Sequence, residues 1–512
     1  MCVDIQSSRE NMDLEQLICA KPVLVTVEAE ATLPGSLRDE ARVYLADGNA
    51  YIIGTEISGN RLTIDGRVNF HALYAQGNLE KMASIDTNGS FSQQLALLGE
   101  NSGNGNSDVR ASASVQEIST RVFNGRLLFK ANVQLSAQIE TRQTVSVISG
   151  IQNTAELQSQ GKEVVSASIV GRGETENVIK QEISLSQNPD IAETLFGIGR
   201  AQVKDITGGA DGKIGVSGEI ELDVYHAGTK KEKPLIITHH TFPYEQSVLL
   251  SGALGDAVSA SSVVCDVAVA ANETGAEKTM RVETLVHTKI FAVEDKKQYV
   301  LTDIYSIGQT AVEPVYVKSV TTMEIVDTQA AESGKTTLNL ADGSLRVQQI
   351  LAVHIRPFIL EAKNEGDKLG VDGVLHCTLI YLTEGQNIPV SMELEEPFST
   401  QFKTSARADD MMSVTVGSVE SSAITGDRVD VKYILHLSAS GVRQEKGSYI
   451  SDIVEGKEQA IEPGIDLYIT QPGESLWDLG KRAKVSPDAL SAFNPETKDH
   501  PDAGNLFITY RQ

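Results

Sequence analysis

The stretch Ser-Gly-Lys-Thr-Thr at residues 333–337 has the residue types of a phosphate-binding loop. Such a loop aims backbone amides and a lysine at phosphate groups, and it needs a glycine five residues before the Gly-Lys pair. That position is occupied by Gln329. The sequence therefore predicts that this stretch does not bind a nucleotide.

Histidines and acidic clusters are the other residues that could do chemistry. His239 and His240 are adjacent, but neighbours on a strand point to opposite faces and do not easily share an ion. The acidic run at 393–396 lacks the Asp-rich loop of a calcium site. His71 and Asp223 fall on the polar faces of predicted strands, so we expect both to be solvated. Without zinc-ligand spacing or a catalytic motif, the sequence predicts no enzyme, no metal site and no cofactor.

Trp477, the one tryptophan of the chain, is the strongest candidate for binding. The apolar face of the helix predicted around it consists of Leu476, Leu479 and Ala483. Trp477 lies about 100° away from the start of that face and shares a stripe with Lys481 and Lys484. A partly exposed indole beside ammonium groups is typical of a binding hot spot, so partner contact is favoured over core packing. Ile465 and Leu467 are further candidates, although burial in a core explains them nearly as well.

The overall composition is that of a globular protein of 512 residues. The chain has 44 Lys and Arg against 69 Asp and Glu, a formal net charge of −25. A surface this acidic repels nucleic acid and anionic lipid, so neither is expected as a general partner.

Cysteine usage and the N-terminal residues favour an intracellular protein. Four scattered cysteines without a C-x-x-C pair are expected to be reduced thiols. Charged residues occupy the positions where a signal peptide needs an apolar stretch, namely Asp4, Arg9, Glu10 and Asp13. No run of about 18 apolar residues occurs, so no membrane span is predicted.

One strand pattern occurs three times. It is LTIDGRVNFHALY at 62–74, IGVSGEIELDVY at 214–225 and LGVDGVLHCTLIY at 369–381. Aligned on Gly66, Gly218 and Gly373, the copies are about 150 residues apart. Their apolar residues alternate with period two, which predicts half-buried strands. The glycine lies on the apolar face, which indicates a bulge or a close backbone approach.

Further matches follow each copy in register. Phe91 and Phe398 come at the same distance after their glycines, and Phe-Pro-Tyr at 242–244 takes that place in the middle copy. A second alternating strand then follows in every copy. We therefore expect three tandem mainly-β domains, each a sandwich or barrel, which fold independently and are joined to the C-terminal part by a tether. The predicted ranges are an N-terminal extension at 1–19, β domains at 20–150, 165–315 and 320–445, a linker at 446–463 and a small α+β domain at 464–512.

The last segment has a different pattern. An alternating strand, IDLYIT, is followed by a turn and by Ser475-Leu476-Trp477-Asp478, which has the spacing of a capping box. Ser486 and Pro487 start a second helix as N-cap and first helical residue. NLFITY at 505–510 returns as a strand, which gives the order β-α-α-β.

This order, with YITQPGESLWDLGKRAKVSPDALSAFNP at 468–495, resembles the LysM domain. The resemblance implies a groove for N-acetylglucosamine polymers, and the residues at its positions are Gly473, Glu474, Ser475, Leu476 and Asn494. Glu474 and Ser475 stand where the family usually has Asp and Thr, and Gly480 stands in a usual Ile-Ala region. Because these departures fall near the groove, we expect the domain to bind protein rather than glycan.

The three upstream copies resemble SPOCS domains, spore-coat-associated modules with a Gly-centred strand ending in an aliphatic residue and Tyr. Those ends are Leu73-Tyr74, Val224-Tyr225 and Ile380-Tyr381. SPOCS domains followed by a terminal LysM domain are similar to a family of spore-coat morphogenesis proteins. The resemblance implies a non-enzymatic assembly protein of the mother-cell cytoplasm. It would be recruited to the forespore surface by docking its LysM domain on the coat morphogenetic ATPase, with the SPOCS domains as a platform for other coat proteins. The alternative is an envelope protein that holds peptidoglycan through the LysM domain.

Overall fold

The computed structural model describes residues 6–34, 41–76, 81–96, 107–152, 156–209, 211–272, 278–340, 344–384, 386–458, 460, 462–495 and 501–511. These residues are mostly in β-strands, with two short helices near the C-terminal end. The predicted mainly-β class is confirmed. Neither helix is long and apolar enough to cross a membrane.

The first unit has six strands: β1 (Gln6–Thr32), β2 (Arg42–Ser58), β3 (Arg61–Gln76), β4 (Lys81–Ala96), β5 (Ser107–Phe123) and β6 (Arg126–Gln152). They form two antiparallel sheets with the orders β1-β6-β5 and β2-β3-β4. The sheets pack face to face over a common core, in which the rings of Phe70 and Phe129 lie 5.2 Å apart. The unit is therefore a sandwich.

The same arrangement recurs twice, with a two-residue strand added at one edge in the second unit. The second unit comprises β7 (Leu157–Ser184), β8 (Ile191–Gly208), β9 (Lys213–Lys230), β10 (Lys233–Leu249), β11 (Ser251–Gly252), β12 (Ala257–Asn272) and β13 (Thr279–Ser306). The third comprises β14 (Thr310–Asn339), β15 (Val347–Glu365), β16 (Lys368–Thr383), β17 (Gln386–Lys403), β18 (Met411–Thr425) and β19 (Arg428–Glu458). Their sheets have the orders β11-β7-β13-β12 and β10-β9-β8, then β14-β19-β18 and β15-β16-β17.

The repeated glycine lies on the central strand of one sheet in every unit, namely β3, β9 and β16. It pairs with an aromatic residue of the next strand, and the pairs are Gly66–Phe91, Gly218–Tyr244 and Gly373–Phe398. A Cβ on Gly66 would lie 2.2 Å from Cζ of Phe91, so the ring occupies the space of the missing side chain. The preceding strand has a register shift opposite each glycine. The predicted bulge and close approach are both confirmed.

The long strands extend past the sandwiches and bring the three units together. Their distal halves form two buried clusters, which we call the stem: Met12, Val147, Val164, Val300 and Tyr449, and next to them Ile148, Leu301, Ile304 and Ile450. A third shared cluster includes Leu73, Tyr225 and Ile380, one from each unit. The units therefore share buried surface, in contrast to the prediction of independent units, because each unit leaves apolar strand residues that only the other units cover.

Two predicted boundaries are corrected by the stem. Residues 6–19, predicted as part of an N-terminal extension, belong to β1 and pair with β6, while residues 1–5 lie outside the described part of the chain. Residues 446–458, predicted as part of a linker, continue β19 and pair with β14. The prediction of a tether was wrong for this second segment, because Tyr449 and Ile450 are fully buried against strands of other units.

The C-terminal segment folds as a small module of β20 (Gly464–Ile469), α1 (Leu476–Ala483), α2 (Pro487–Phe493) and β21 (Leu506–Arg511). The predicted β-α-α-β order and the capping box between Ser475 and Asp478 are confirmed. Ser486 caps α2 and Pro487 is its first residue, also as predicted. The module core consists of Leu476, Leu479, Ala483, Val485, Leu490 and Phe507.

Candidate partner-docking site

The two-stranded sheet of the module has one covered face and one open face. Tyr468 and Phe507 pair across the strands and point to the helices. The residues on either side point away, because side chains alternate along a strand. These residues, which we call the outer face, are Ile465 (68% exposed), Leu467 (62%), Ile469 (62%), Leu506 (59%) and Ile508 (44%). Five contiguous large aliphatic side chains in water are typical of a protein-binding surface.

Trp477 and Lys481 hold the module against the second unit. The indole Nε1 of Trp477 donates to Oδ2 of Asp303 at 2.8 Å, and Nζ of Lys481 donates to both carboxylate oxygens at 2.7 and 2.8 Å. Burial raises the pKa of the Asp303 carboxyl, but the hydrogen bonds from Lys481 and Trp477 outweigh it, so this pKa lies below its ordinary value. The carboxylate is therefore charged at neutral pH and fixes both donors.

Tyr305 completes this intramolecular contact. Its ring lies edge-on to Trp477 with centroids 4.9 Å apart, and its hydroxyl donates to the carbonyl of Val485 at 2.8 Å. A Cβ on Gly480 would lie 2.6 Å from the Tyr305 hydroxyl oxygen. The departure from the LysM pattern at Gly480 therefore has a local cause, since only glycine leaves room for Tyr305.

The sequence placed Trp477 outside the module core, and the structure agrees. The sequence predicted contact with a partner protein, whereas in this structure Trp477 and Lys481 contact Asp303 of the second unit. Lys484 ends α1 in the left-handed conformation (φ 55°), and its backbone amide donates to the carbonyl of Gly480. Ile465 and Leu467, the weaker candidates from sequence, are strongly exposed, at 68% and 62%.

Most polar groups of the predicted LysM groove serve the fold of the module. The carboxylate of Glu474 accepts from the backbone amide of Gln471 at 2.8 Å and from Arg482 at 3.1 Å. The side chain of Asn494 joins α2 to β21, because it donates to the carbonyl of Ile508 at 2.9 Å and accepts from its amide at 3.0 Å. Of the remaining positions, Gly473 has a positive φ in open space, Ser475 caps α1, and Leu476 is 7% exposed.

Two polar residues that were predicted to be solvated are instead part of contacts between strands and units. His71 stacks on Phe196 of the second unit with centroids 5.7 Å apart, and its Nδ1 lies 2.9 Å from Asp86. Asp223 pairs with Arg200 at 3.0 Å and with His239 at 2.6 Å. Alternation identified the polar face of each strand correctly, but that face is covered by neighbouring residues that the strand pattern does not reveal.

The sandwiches also line an open cavity of about 1240 Å³ to which all three units contribute. Beside it, Asp47 of the first unit meets Arg356 and His354 of the third. Burial raises the pKa of the Asp47 carboxyl, but the charges of His354 and Arg356 outweigh it and hold this pKa well below the ordinary value. Sequence reasoning missed this cluster because its members are about 310 residues apart in the chain.

The Ser-Gly-Lys-Thr-Thr stretch lies within β14 and is paired with β19 along its whole length. A Cβ on Gly334 would lie 2.3 Å from the ring of Tyr433, so this glycine accommodates an aromatic side chain and is not part of a loop. The prediction that the stretch is no phosphate-binding loop agrees with this extended backbone.

Comparison with known families finds a match to part of the third unit. Residues 346–434, which span β15 to β18 and the start of β19, match the family model described as SipL, SPOCS domain. This segment is similar to the SPOCS domain of SipL-type proteins. The protein is thus SipL-like, as the sequence indicated, and the SPOCS domain associates it with sporulation. No curated protein and no solved structure matches the chain significantly.

Proposed function

We propose that this protein is a non-enzymatic assembly protein of the spore coat. It docks on the coat morphogenetic ATPase at the forespore surface through its LysM-like module, and the SPOCS domain with the two units of the same topology forms a platform for other coat proteins. The ATPase is proposed as the partner because the chain resembles spore-coat proteins with SPOCS and LysM domains. The exposed outer face of β20 and β21 is the observation that carries the proposal, because this sheet exposes five aliphatic residues next to one another.

The rest of the module supports this assignment. The contacts of Trp477 and Lys481 with Asp303 fix the orientation of the module, which reduces the conformational entropy lost on binding. We therefore assign Ile465 and Leu467 to direct partner contact, and Trp477 and Lys481 to positioning. The side chains of Glu474 and Asn494 are bonded within the module, which favours a protein ligand over a glycan.

Replacement of an apolar residue of the outer face by a charged residue tests the proposal in the full chain. Leu467→Glu and Ile465→Glu place a charge in the proposed interface while leaving the module core intact. We expect each to weaken binding of the purified ATPase by at least about thirtyfold, the loss of about 2 kcal/mol typical of a hot spot. Leu360→Glu is the matched control, since Leu360 is 63% exposed on the third unit.

Binding is measured by interferometry with immobilised full-length protein, and thermal melts verify folding. If both outer-face variants bind as the wild type does and deletion of 465–512 abolishes binding, the interface lies on another surface of the module. Binding that survives the deletion would contradict docking through the module. Saturable binding of N-acetylglucosamine oligomers to the full chain would favour the peptidoglycan alternative.

A further inference from the structure

Three metal-ligating side chains from three adjacent strands meet in the second unit. Glu176 on β7 pairs directly with His287 on β13, and His287 pairs on its other side with Val263 on β12. Cys265 follows on β12 at a register shift between Val264 and Asp266. A bulge re-aims the side chain of its extra residue. The ligand atoms of Glu176, Cys265 and His287 all lie within 4.8 Å of one another.

A thiolate, an imidazole and a carboxylate together suit zinc better than the hard cations. Calcium and magnesium take oxygen ligands, whereas zinc binds Cys, His and carboxylate side chains in a tetrahedral arrangement. The thiolate and the Glu176 carboxylate together would neutralise the charge of a divalent ion. We propose that Glu176, Cys265 and His287 bind one zinc ion, with the fourth position open to water or to a further ligand.

The surroundings of the cluster fit this assignment. Oε2 of Glu174 lies 3.3 Å from Nε2 of His287, so a second carboxylate is within reach of the imidazole and orients it, as partners of metal-bound histidines do. A bound cation would displace the thiol proton of Cys265, because cysteine binds metal ions in its deprotonated form.

The site lies at the contact between the first and second units. Asn49 donates to the carbonyl of Val264 at 2.6 Å and Asn69 to the carbonyl of Cys265 at 3.1 Å. Both hydrogen bonds cross the boundary and hold the bulge that positions the thiol. Cys265 and His287 also line the cavity between the units. Zinc here would therefore stabilise the bulge and, through it, the contact between the two units.

Cobalt substitution of the reduced, chelator-treated full-length protein tests the proposal. Cobalt bound by a thiolate gives a charge-transfer band in the near ultraviolet, and zinc should abolish it at one equivalent per chain. Cys265→Ser should remove the band and weaken zinc binding by at least about a hundredfold, since loss of a direct ligand exceeds the effect of outer-shell changes. Cys377→Ser is the matched control, because Cys377 is also a buried free thiol.

Absence of a thiolate band in the wild-type protein, or the same band in Cys265→Ser, would overturn the proposal. Should the serine variant melt early, Glu176→Gln takes its place, since Glu176 is exposed and its change leaves the core intact. It should weaken zinc binding by at least about tenfold. Glu163→Gln on the same strand is its control, and equal zinc affinity of the two variants would contradict the site.

Discussion

The carboxylate of Asp303 accepts hydrogen bonds from Trp477 and Lys481, which lie 174 and 178 residues further along the chain. Asp303 is near the end of β13, where the stem ends, so the contact joins the C-terminal module to the platform. Tyr316 on β14 donates to the same carboxylate at 3.1 Å. One side chain therefore connects the module with the second and third units.

Removal of this carboxylate should release the module. In Asp303→Ala, the indole of Trp477 loses its acceptor and Lys481 its counter-ion. Because Trp477 is the one tryptophan of the chain, its fluorescence reports on this contact alone. We expect emission shifted to the red and stronger quenching by acrylamide. Asp372→Ala, which removes an exposed partner of Lys363, should leave the emission unchanged.

Acid should have the same effect on the wild-type protein. The folded-state pKa of Asp303 is lowered, so its contribution to docking is present above the ordinary aspartate pKa and is lost as the pH falls through the lowered value. We expect the emission of Trp477 to shift to the red only below about pH 4. A shift that begins near pH 6 would indicate a histidine instead.

Loss of the Arg356 guanidinium should weaken the contact between the first and third units. Arg356→Ala leaves Asp47 buried with only His354 beside it, and breaking such a pair costs about 3–5 kcal/mol. Lys335→Ala removes a cation from an ion pair with Asp430 in which the lysine is more than half exposed, which should cost at most about 1 kcal/mol. Urea denaturation of the two variants provides the comparison, and equal midpoints would contradict the role of Asp47 in this contact.

The repeated glycines should not tolerate a methyl group. A Cβ on Gly373 would lie 2.1 Å from the carbonyl oxygen of Phe358 and 2.4 Å from the ring of Phe398. Because the carbonyl belongs to a paired strand and cannot move away, Gly373→Ala should destabilise the third unit by about 1–3 kcal/mol. Gly54→Ala has nothing within 4 Å of the new Cβ and should unfold like the wild type.

His226 should make stability depend on pH. Its ring is fully buried between the hydroxyls of Thr194 and Thr238, and burial followed by the charge of His240 lowers its pKa to about 4. The unfolded chain therefore binds a proton between pH 6.5 and 4 that the folded chain does not, and stability should fall with pH across this window by up to about 3 kcal/mol.

Comparison of melting temperatures at pH 7 and pH 5 checks this expectation. His226→Gln should lose less stability on acidification than the wild type, whatever its stability at neutral pH. His376→Gln, a change at a partly exposed histidine, should keep the wild-type pH dependence. An identical pH dependence of all three proteins would show that His226 is not the titrating group.

Local patterns in the sequence determined the elements and their buried faces. Period-two alternation identified strands such as 62–74, because an antiparallel strand of a sandwich buries every second residue. The capping box at Ser475 fixed the start of α1, since its hydrogen bonds are local. The repeated glycine and the aromatic residue that follows it were also recognisable in the sequence, because the two residues pair on neighbouring strands.

Only the tertiary structure decided how the units meet and which surface stays open. The residues of the stem and the ligands of the proposed zinc site are brought together by strands far apart in sequence. Their spacing in the chain therefore does not predict that they are in contact. The same holds for Trp477. The helix pattern predicted that it lies outside the module core, but it could not predict that Asp303 accepts its hydrogen bond. The exposure of Ile465 and Leu467 follows from the helices covering one face of the sheet and nothing among the described residues covering the other.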